Sequence, residues 1–344
     1  MRIAIDVMGG DHAPDAILDG ALDALPRLAE DDRLIFVGDE PTIRETITER
    51  GLGDERRLDV AATCDVVDMD ETPVDAIRGK PDSSIARLGW LGSPRAGERQ
   101  VDVIISAGNT GAMVAAAQMF MRRLPGVHRP GIAVTMPTFH GPLIVCDVGA
   151  NIVPKPHHLH QYGHMAGIYA REVHGIDNPR VAMLSIGGEE GKGTGLVKDT
   201  ARLMRADAEL NYVGYCEGRE LFDGKTDVLI TEGFTGNVVL KLAEGLAAGL
   251  FQTIAHEIFE QDAQLAMKFE PVVKKIWAKH DWHEFGGAPL LGVKGNCVIC
   301  HGSSQSRTIR AAVRNAISYC RHHVNKKIVQ ALARAEQVAG KVAP

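Results

Sequence analysis

The chain has 344 residues, 45% hydrophobic and 24% charged, an ordinary balance for a globular fold with room for one large domain or two lobes. Aromatic residues make up 5% against 37 glycines, which favours closely packed helices and turns over an aromatic-rich all-β sandwich. A formal net charge of −6 argues against a general nucleic-acid binder, which would carry a basic face.

The first stretch, "MRIAIDVMGGDHAPD", reaches Asp6 without a long apolar run, so it reads as a strand and not as a secretory leader. Short apolar runs follow along the chain: "RLIFVG", "VDVIISAG", "PLIVCDVG", "RVAMLSIG", "DVLITEG" and "GNCVIC". Most close on Gly or Asp and lead into segments of helical period. That alternation predicts an α/β fold, a mainly parallel sheet with helices on both faces, whose ligands bind beyond the carboxyl ends of the strands. The clearest helix follows "DVLITEG", where Val238, Leu242, Leu246, Leu250, Ile254 and Ile258 recur every four residues as an apolar stripe. No run approaches the roughly 18 uninterrupted apolar residues of a membrane span. The nearest things to linkers are "GSPRAGERQ" (92–100) and "FEPVVKK" (269–275). Six scattered cysteines (Cys64, Cys146, Cys216, Cys297, Cys300 and Cys320) read as reduced core residues of a cytosolic chain.

Four strand ends carry glycine-rich turns: "DVMGGDHAPD", "SAGNTGA", "GGEEGKGTG" and "TEGFTGN". In each, backbone amides can converge at the positive end of the following helix, which makes an anion site, most naturally for phosphate. Any one such turn is more commonly just a helix cap, and four at successive strand ends shift the balance to function. Amides around Asn109, Thr110, Thr235 and Gly236 are the expected phosphate donors. Known phosphate and hydrolase motifs do not fit. Gly188 to Gly193 is followed by Thr194 where a Walker loop needs Lys, and neither G-x-G-x-x-G after the first strand nor G-x-S-x-G is present. "CVICH" (297–301) has the form of a haem attachment motif but reads as buried strand cysteines. "HHLHQYGH" sets His160 and His164 one helical turn apart, a zinc-compatible spacing; with no Cys or carboxylate nearby in sequence they read as helix-surface histidines.

In their order, "IAIDVMGGDHAP", "SAGNTGA", "DVGAN" with "KPHHL", "GEEGKGT", "TEGFTGN" and "EFGGAPLLGV" leading into "HGSS" resemble the phosphate acyltransferase family of bacterial phospholipid synthesis (PlsX). The resemblance runs from Ile3 to about Ile317 and departs from the family pattern at "IVPKP" and "SIGGEEGKG". It implies one family-length unit over 1–344, similar in fold to phosphotransacetylases and to isocitrate and isopropylmalate dehydrogenases, with two α/β lobes around a cleft. A helical hairpin over 251–285 would project from it. The implied reaction moves a fatty acyl group from acyl carrier protein to inorganic phosphate, without cofactor or metal, in a cytoplasmic homodimer with peripheral contact to anionic membrane. Phosphate is already an anion, so the enzyme must orient two partners and stabilise an oxyanion; it needs no nucleophile of its own. Lys192 and Asn237 are the expected catalytic residues. The expected phosphate or substrate contacts are Asp6, Gly9, Gly10, Asn109, Thr110, Gly111, Asn151, Lys155, Glu190, Gly191, Gly193, Thr235, Gly236 and His301. The alternatives are a coenzyme A-dependent phosphotransacetylase, an NAD-dependent decarboxylating dehydrogenase and a non-catalytic scaffold that binds acyl carrier protein.

Overall fold

A computed structural model describes residues 1–261, 263–280 and 285–342. The first half of the chain forms β1 (Arg2–Asp6), α1 (Asp15–Leu22), β2 (Arg33–Gly38), α2 (Glu40–Glu49), β3 (Leu58–Ala62), α3 (Pro73–Gly79), α4 (Ser84–Leu91), β4 (Val103–Ser106), α5 (Thr110–Ala116), β5 (Gly131–Thr138) and β6 (Gly141–Cys146). Then come α6 (Pro156–His174), β7 (Val181–Ser185), α7 (Gly195–Ala206), β8 (Tyr212–Glu217), β9 (Val228–Ile230), α8 (Gly233–Gln261), α9 (Ala263–His280), β10 (Ala288–Leu291), β11 (Asn296–Ile299), α10 (Ser306–Arg321) and α11 (Val324–Val342). Local chemistry sets the ends. Asp39 caps α2 by accepting from the Thr42 amide at 3.1 Å, and α6 starts on Pro156 and stops at Gly175, whose φ of 69° is left-handed.

The strands form one sheet in the order β3-β2-β1-β4-β11-β10-β5-β6-β9-β7-β8. Seven of the pairings among the described residues are parallel; the three antiparallel ones all involve β10 or β5. Helices cover both faces, because alternate residues of one strand point opposite ways. Ile3 and Ile5 of β1 pack with Ile17 of α1 and Val313 of α10, while Ala4 between them packs with Leu88 of α4. In the second half Tyr162 of α6 and Ile328 of α11 bury against Ile144 and Ile230.

The antiparallel strands in the middle decide where the loops go. β4 and β11 run one way, and β6, β9 and β7 run the other. Ser106 is level with Ile299, Ile299 with Ala288, Leu290 with Ile132, Ala133 with Cys146, Cys146 with Ile230, and Ile230 with Met183. The carboxyl ends of the two sets therefore meet within a rung or two of the same level, from opposite directions. Two parallel half-sheets that share an antiparallel seam aim their strand-end loops at one cleft.

The structure differs from the sequence expectations in several places. β3, β5, β8 and β10 are additional strands; β3 and β8 are the sheet edges and half exposed, so their apolar signal is weak. Segment 92–100 contains a 3₁₀ turn over Pro94–Arg99, and 269–275 lies inside α9, so neither is a linker. The every-fourth-residue pattern of α8 is not buried: Val238, Leu242, Leu246, Leu250 and Ile254 are all exposed. An i, i+4 repeat drifts about 40° per step around a helix of 3.6 residues per turn, so it spirals over the surface and gives no fixed face. By length and composition alone α8 is also apolar enough to cross a bilayer, which the count of uninterrupted apolar residues misses because Lys241 and Glu244 break the run.

A half-buried histidine gives the fold a pH dependence. At the end of α6, His174 has its Nε2 3.0 Å from Thr135 Oγ1, and burial pushes its pKa down from 6.5 to about 4. A depressed histidine pKa means the unfolded chain binds the proton first. Stability is therefore full above the unfolded value and falls as the pH drops from 6.5 towards 4. Urea unfolding should show about 2 kcal/mol lost between pH 7 and pH 5, and His174→Gln should remove that share of the slope.

Candidate active site

On one side of the cleft the ends of β1 and β4 are tied together. A Cβ on Gly9 would lie 2.7 Å from the Gly108 Cα and 2.4 Å from Asp6 Oδ2, so the two loops touch backbone to backbone. Buried Asp6 accepts from the Met8 amide at 3.0 Å and the Ser106 hydroxyl at 2.7 Å; burial raises its pKa, and these bonds oppose the rise. Asn109 caps α5 by accepting from the Ala112 amide at 2.9 Å, and its own NH₂ donates to the carbonyls of Asp68, Met69 and Glu71 at 3.1 Å each. Thr110 and Gly111 then head α5, where no preceding helical carbonyl receives their amides.

On the other side Asp147, just past β6, accepts from the amides of Ile132, Gly149, Ala150 and Asn151 at 2.7–3.1 Å. Burial pushes its carboxyl up and these donors pull the other way. Asn151 donates its side-chain amide to the Pro130 carbonyl at 2.6 Å and the Tyr162 hydroxyl at 2.8 Å, while its carbonyl accepts from the Gly233 amide at 2.8 Å. That last bond fixes the start of α8. Gly236 rides on the same loop, since a Cβ there would stand 1.9 Å from the Asp147 carbonyl oxygen. Glu232 caps the helix, accepting from the amides of Phe234 at 2.7 Å and Thr235 at 2.8 Å and from the Thr235 hydroxyl. Asn237 follows one turn into α8, and is therefore not its N-cap.

Between the two sides lies a cavity of about 500 Å³. Thr110, Asn237, His301, Ser303, Ser304 and Thr308 give it polar edges, and Ile132, Val134, Val148, Leu240, Ala248 and Phe285 an apolar wall; Glu244 also borders it. His301 Nδ1 accepts from the Ser303 amide at 3.2 Å and lies 2.8 Å from the Ser303 hydroxyl. Assigned from that network, the proton of neutral His301 sits on Nε2, which is free to donate to a ligand. Ser304 is 1% exposed, and its hydroxyl has no protein partner. Few buried hydroxyls lack a partner, and this one belongs to a residue that borders the cavity.

Of the residues expected from sequence, the structure brings Thr110, Asn237 and His301 to this cavity. Asp6, Asn109, Asn151 and Thr235 turn their side chains to protein partners and hold the loops in place. Gly10 takes a φ of 113° beside the Gly302 carbonyl, and Gly111 sits so close to Pro73 that a Cβ would be 2.5 Å from its Cγ. The expected phosphate donors at Thr235 and Gly236 are already engaged, the first by the Glu232 carboxylate and the second by the Glu232 carbonyl. Glu190, Gly191, Lys192 and Gly193 form the loop after β7 and do not line the cavity; Lys192 is exposed, and Glu190 pairs with Arg205 at 3.1 Å. Lys155 is exposed at the N-cap of α6, where its amide donates to His158 Nδ1 at 3.0 Å. In "CVICH" both thiols are buried, and burial pushes Cys300 up to about 12.

Residues 1–327 match the family model described as fatty acid synthesis protein. The phosphate acyltransferase of Heliobacterium modesticaldum is 42% identical over 346 residues, spanning 100% of this chain and 99% of that one. The chain belongs to the phosphate acyltransferase family. It is an acyltransferase, and the phosphate acyltransferase of Desulfitobacterium hafniense strain DCB-2 is likewise 43% identical over 319 residues, 92% of this chain and 93% of that one. Among solved structures, a phosphotransacetylase from Streptococcus pyogenes superimposes with a TM-score of 0.60 at 14% identity, covering 93% of this chain and 94% of that one. The EutD phosphotransacetylase from Staphylococcus aureus gives 0.57 at 15%, covering 94% of each chain, so the acyltransferase has a phosphotransacetylase-like fold. The polar cavity residues that sequence reasoning passed over in this acyltransferase include Glu244, Ser303, Ser304 and Thr308, and Ser304 is the one with an unpartnered hydroxyl. Its motif "HGSS" was visible, but only burial without a partner distinguishes its hydroxyl from an ordinary turn serine.

Proposed function

We propose that this chain transfers a long-chain fatty acyl group from acyl carrier protein to inorganic phosphate, releasing acyl phosphate for phospholipid synthesis. The observation that carries the reading is the cavity itself: in a space of about 500 Å³, polar donors from both halves of the sheet meet an apolar wall suited to an acyl chain. A phosphate oxygen attacks the thioester carbonyl, the carbonyl oxygen takes up negative charge, and collapse breaks the C–S bond, the thiolate leaving and taking a proton from solvent. Thr110, Asn237 and His301 Nε2 are the neutral donors available to phosphate or to the oxyanion. Lys192 is assigned the role of the cation from outside the cavity wall, where its side chain is exposed. Its loop follows β7, the neighbour of β9, and β9 leads into α8 and Asn237. No group on the enzyme has to be acylated, and no cofactor takes part in this scheme.

Incubation of the purified chain with acyl-carrier thioester and phosphate, with hydroxylamine to trap acyl phosphate, tests the proposal. Phosphate-dependent product is expected, together with a melting temperature that rises with millimolar phosphate against a matched chloride control. Product from coenzyme A thioesters but not from carrier thioesters would replace it with the phosphotransacetylase reading. Absence of product from both would leave a binding scaffold.

The outward apolar residues of α8 suit a second copy of the chain, in a homodimer. On α9, exposed Met267, Phe269, Val272 and Ile276 alternate with Lys268, Lys274 and Lys275, the pattern of a weak, salt-sensitive contact with anionic membrane opposed by Glu270. The tip and the end of the expected 251–285 hairpin, at 262 and 281–284, lie outside the described residues. Vesicle co-sedimentation at low salt is expected to retain wild type and to lose Met267→Glu with Phe269→Glu while both remain dimers. No sedimentation of wild type would confine the enzyme to the cytoplasm.

A further inference from the structure

His160 and His164 are not loose surface histidines. They stand one turn apart on α6, and Asp207, the residue that closes α7, reaches both from 43 residues beyond His164. Each Nε2 lies 2.7 Å from the same oxygen, Asp207 Oδ2. The His164 side chain is 4% exposed, Asp207 11% and His160 20%, so the group is enclosed but open on the His160 side. The ligand atoms of the three residues all lie within 4.8 Å of one another. The other carboxylate oxygen, Asp207 Oδ1, accepts from the Glu209 amide at 2.9 Å, which fixes the carboxylate in place.

We propose that His160, His164 and Asp207 form a divalent-metal site that takes zinc. Two imidazoles and a carboxylate are the donor set zinc accepts, and i, i+4 histidines on a helix present both ring nitrogens to one point. Zinc bonds of roughly 2.0–2.1 Å put tetrahedral ligands about 3.3 Å apart, so the 2.7 Å contacts open by about half an ångström when the ion enters. Both ring protons then reside on Nδ1, and water fills the fourth position on the exposed side. The ion clamps the middle of α6 to the end of α7, the helix whose first turn follows the Lys192 loop. It is a brace at a distance from the acyl cavity, none of whose lining residues it shares.

The test is zinc titration of the chelator-stripped full-length chain against a chromophoric competitor, for wild type, His164→Gln and Asp207→Asn. Gln and Asn keep the volume and a hydrogen bond, so a clip that only hydrogen-bonds survives the change while a metal site does not. The ring cluster of His128, His157 and His158, near the start of α6, supplies the control in His157→Gln with His158→Gln. Zinc should bind wild type and the control equally, one ion per chain, and bind the other two variants roughly 100-fold more weakly. Melting temperature should rise with zinc in wild type and not in Asp207→Asn. If circular dichroism shows that His164→Gln does not fold, His160→Gln, the more exposed ligand, takes its place. Equal zinc affinity in wild type and Asp207→Asn, or a loss confined to the His157/His158 control, overturns the assignment.

Discussion

Asn237→Ala is expected to fold normally and to turn over about 10²–10³-fold more slowly, the effect of removing one preorganised donor from an oxyanion-type site. The residue lies inside α8 and borders the cavity, so its loss does not uncap the helix and a capping defect cannot account for slow turnover. Lys192→Ala should show a loss of the same order. Lys192 is exposed, so stability should move by no more than about 0.5 kcal/mol, and the defect should appear in the dependence on phosphate concentration. Steady-state kinetics at varied phosphate, beside urea unfolding of the same samples, separate the two roles. If both variants keep wild-type rates, transfer does not depend on these residues and the proposed mechanism fails.

The second large effect is expected at Gly236. A methyl group there would clash with the Asp147 carbonyl oxygen at 1.9 Å, and the obstacle is backbone held by four amide-to-carboxylate bonds. Neither partner can yield cheaply, so Gly236→Ala should cost about 3 kcal/mol or more and push the first turn of α8, with Asn237, out of register with Thr110. Gly249 is the internal comparison: it lies in the same helix with nothing within 4 Å of its would-be Cβ. Gly249→Ala should raise stability by about 0.5–1 kcal/mol, because the unfolded chain loses freedom and the helix loses nothing. Chemical denaturation of the pair checks both signs. A Gly236→Ala variant as stable and active as Gly249→Ala would mean that α8 does not depend on its contact with Asp147.

Much of this protein is determined locally, and therefore legible in its sequence. "RIAID", "RLIFVG" and "RVAMLSIG" coincide with β1, β2 and β7 because short buried apolar runs closed by turn residues have one common solution in an α/β sheet. The turns at Asn109 and at Thr235–Gly236 were visible because their caps answer to neighbours in the chain, although the glycines beside them answer to distant partners, Gly111 to Pro73 and Gly236 to Asp147. Family membership was legible too, because motifs in order survive where each loop has a separate job. Tertiary structure alone decided the rest. β5 and β10 reverse the sheet's direction, and nothing in "GIAVTMPT" or "APLL" announces that, because strand direction depends on what each strand pairs with. That reversal brings Thr110 and Asn237 to one cavity, whose wall does not include Lys192. The pairing of Asp207 with His160 and His164, and the solitary hydroxyl of Ser304, were hidden for one physical reason: a side chain's partners, or its lack of them, belong to residues distant in sequence that only folding brings near.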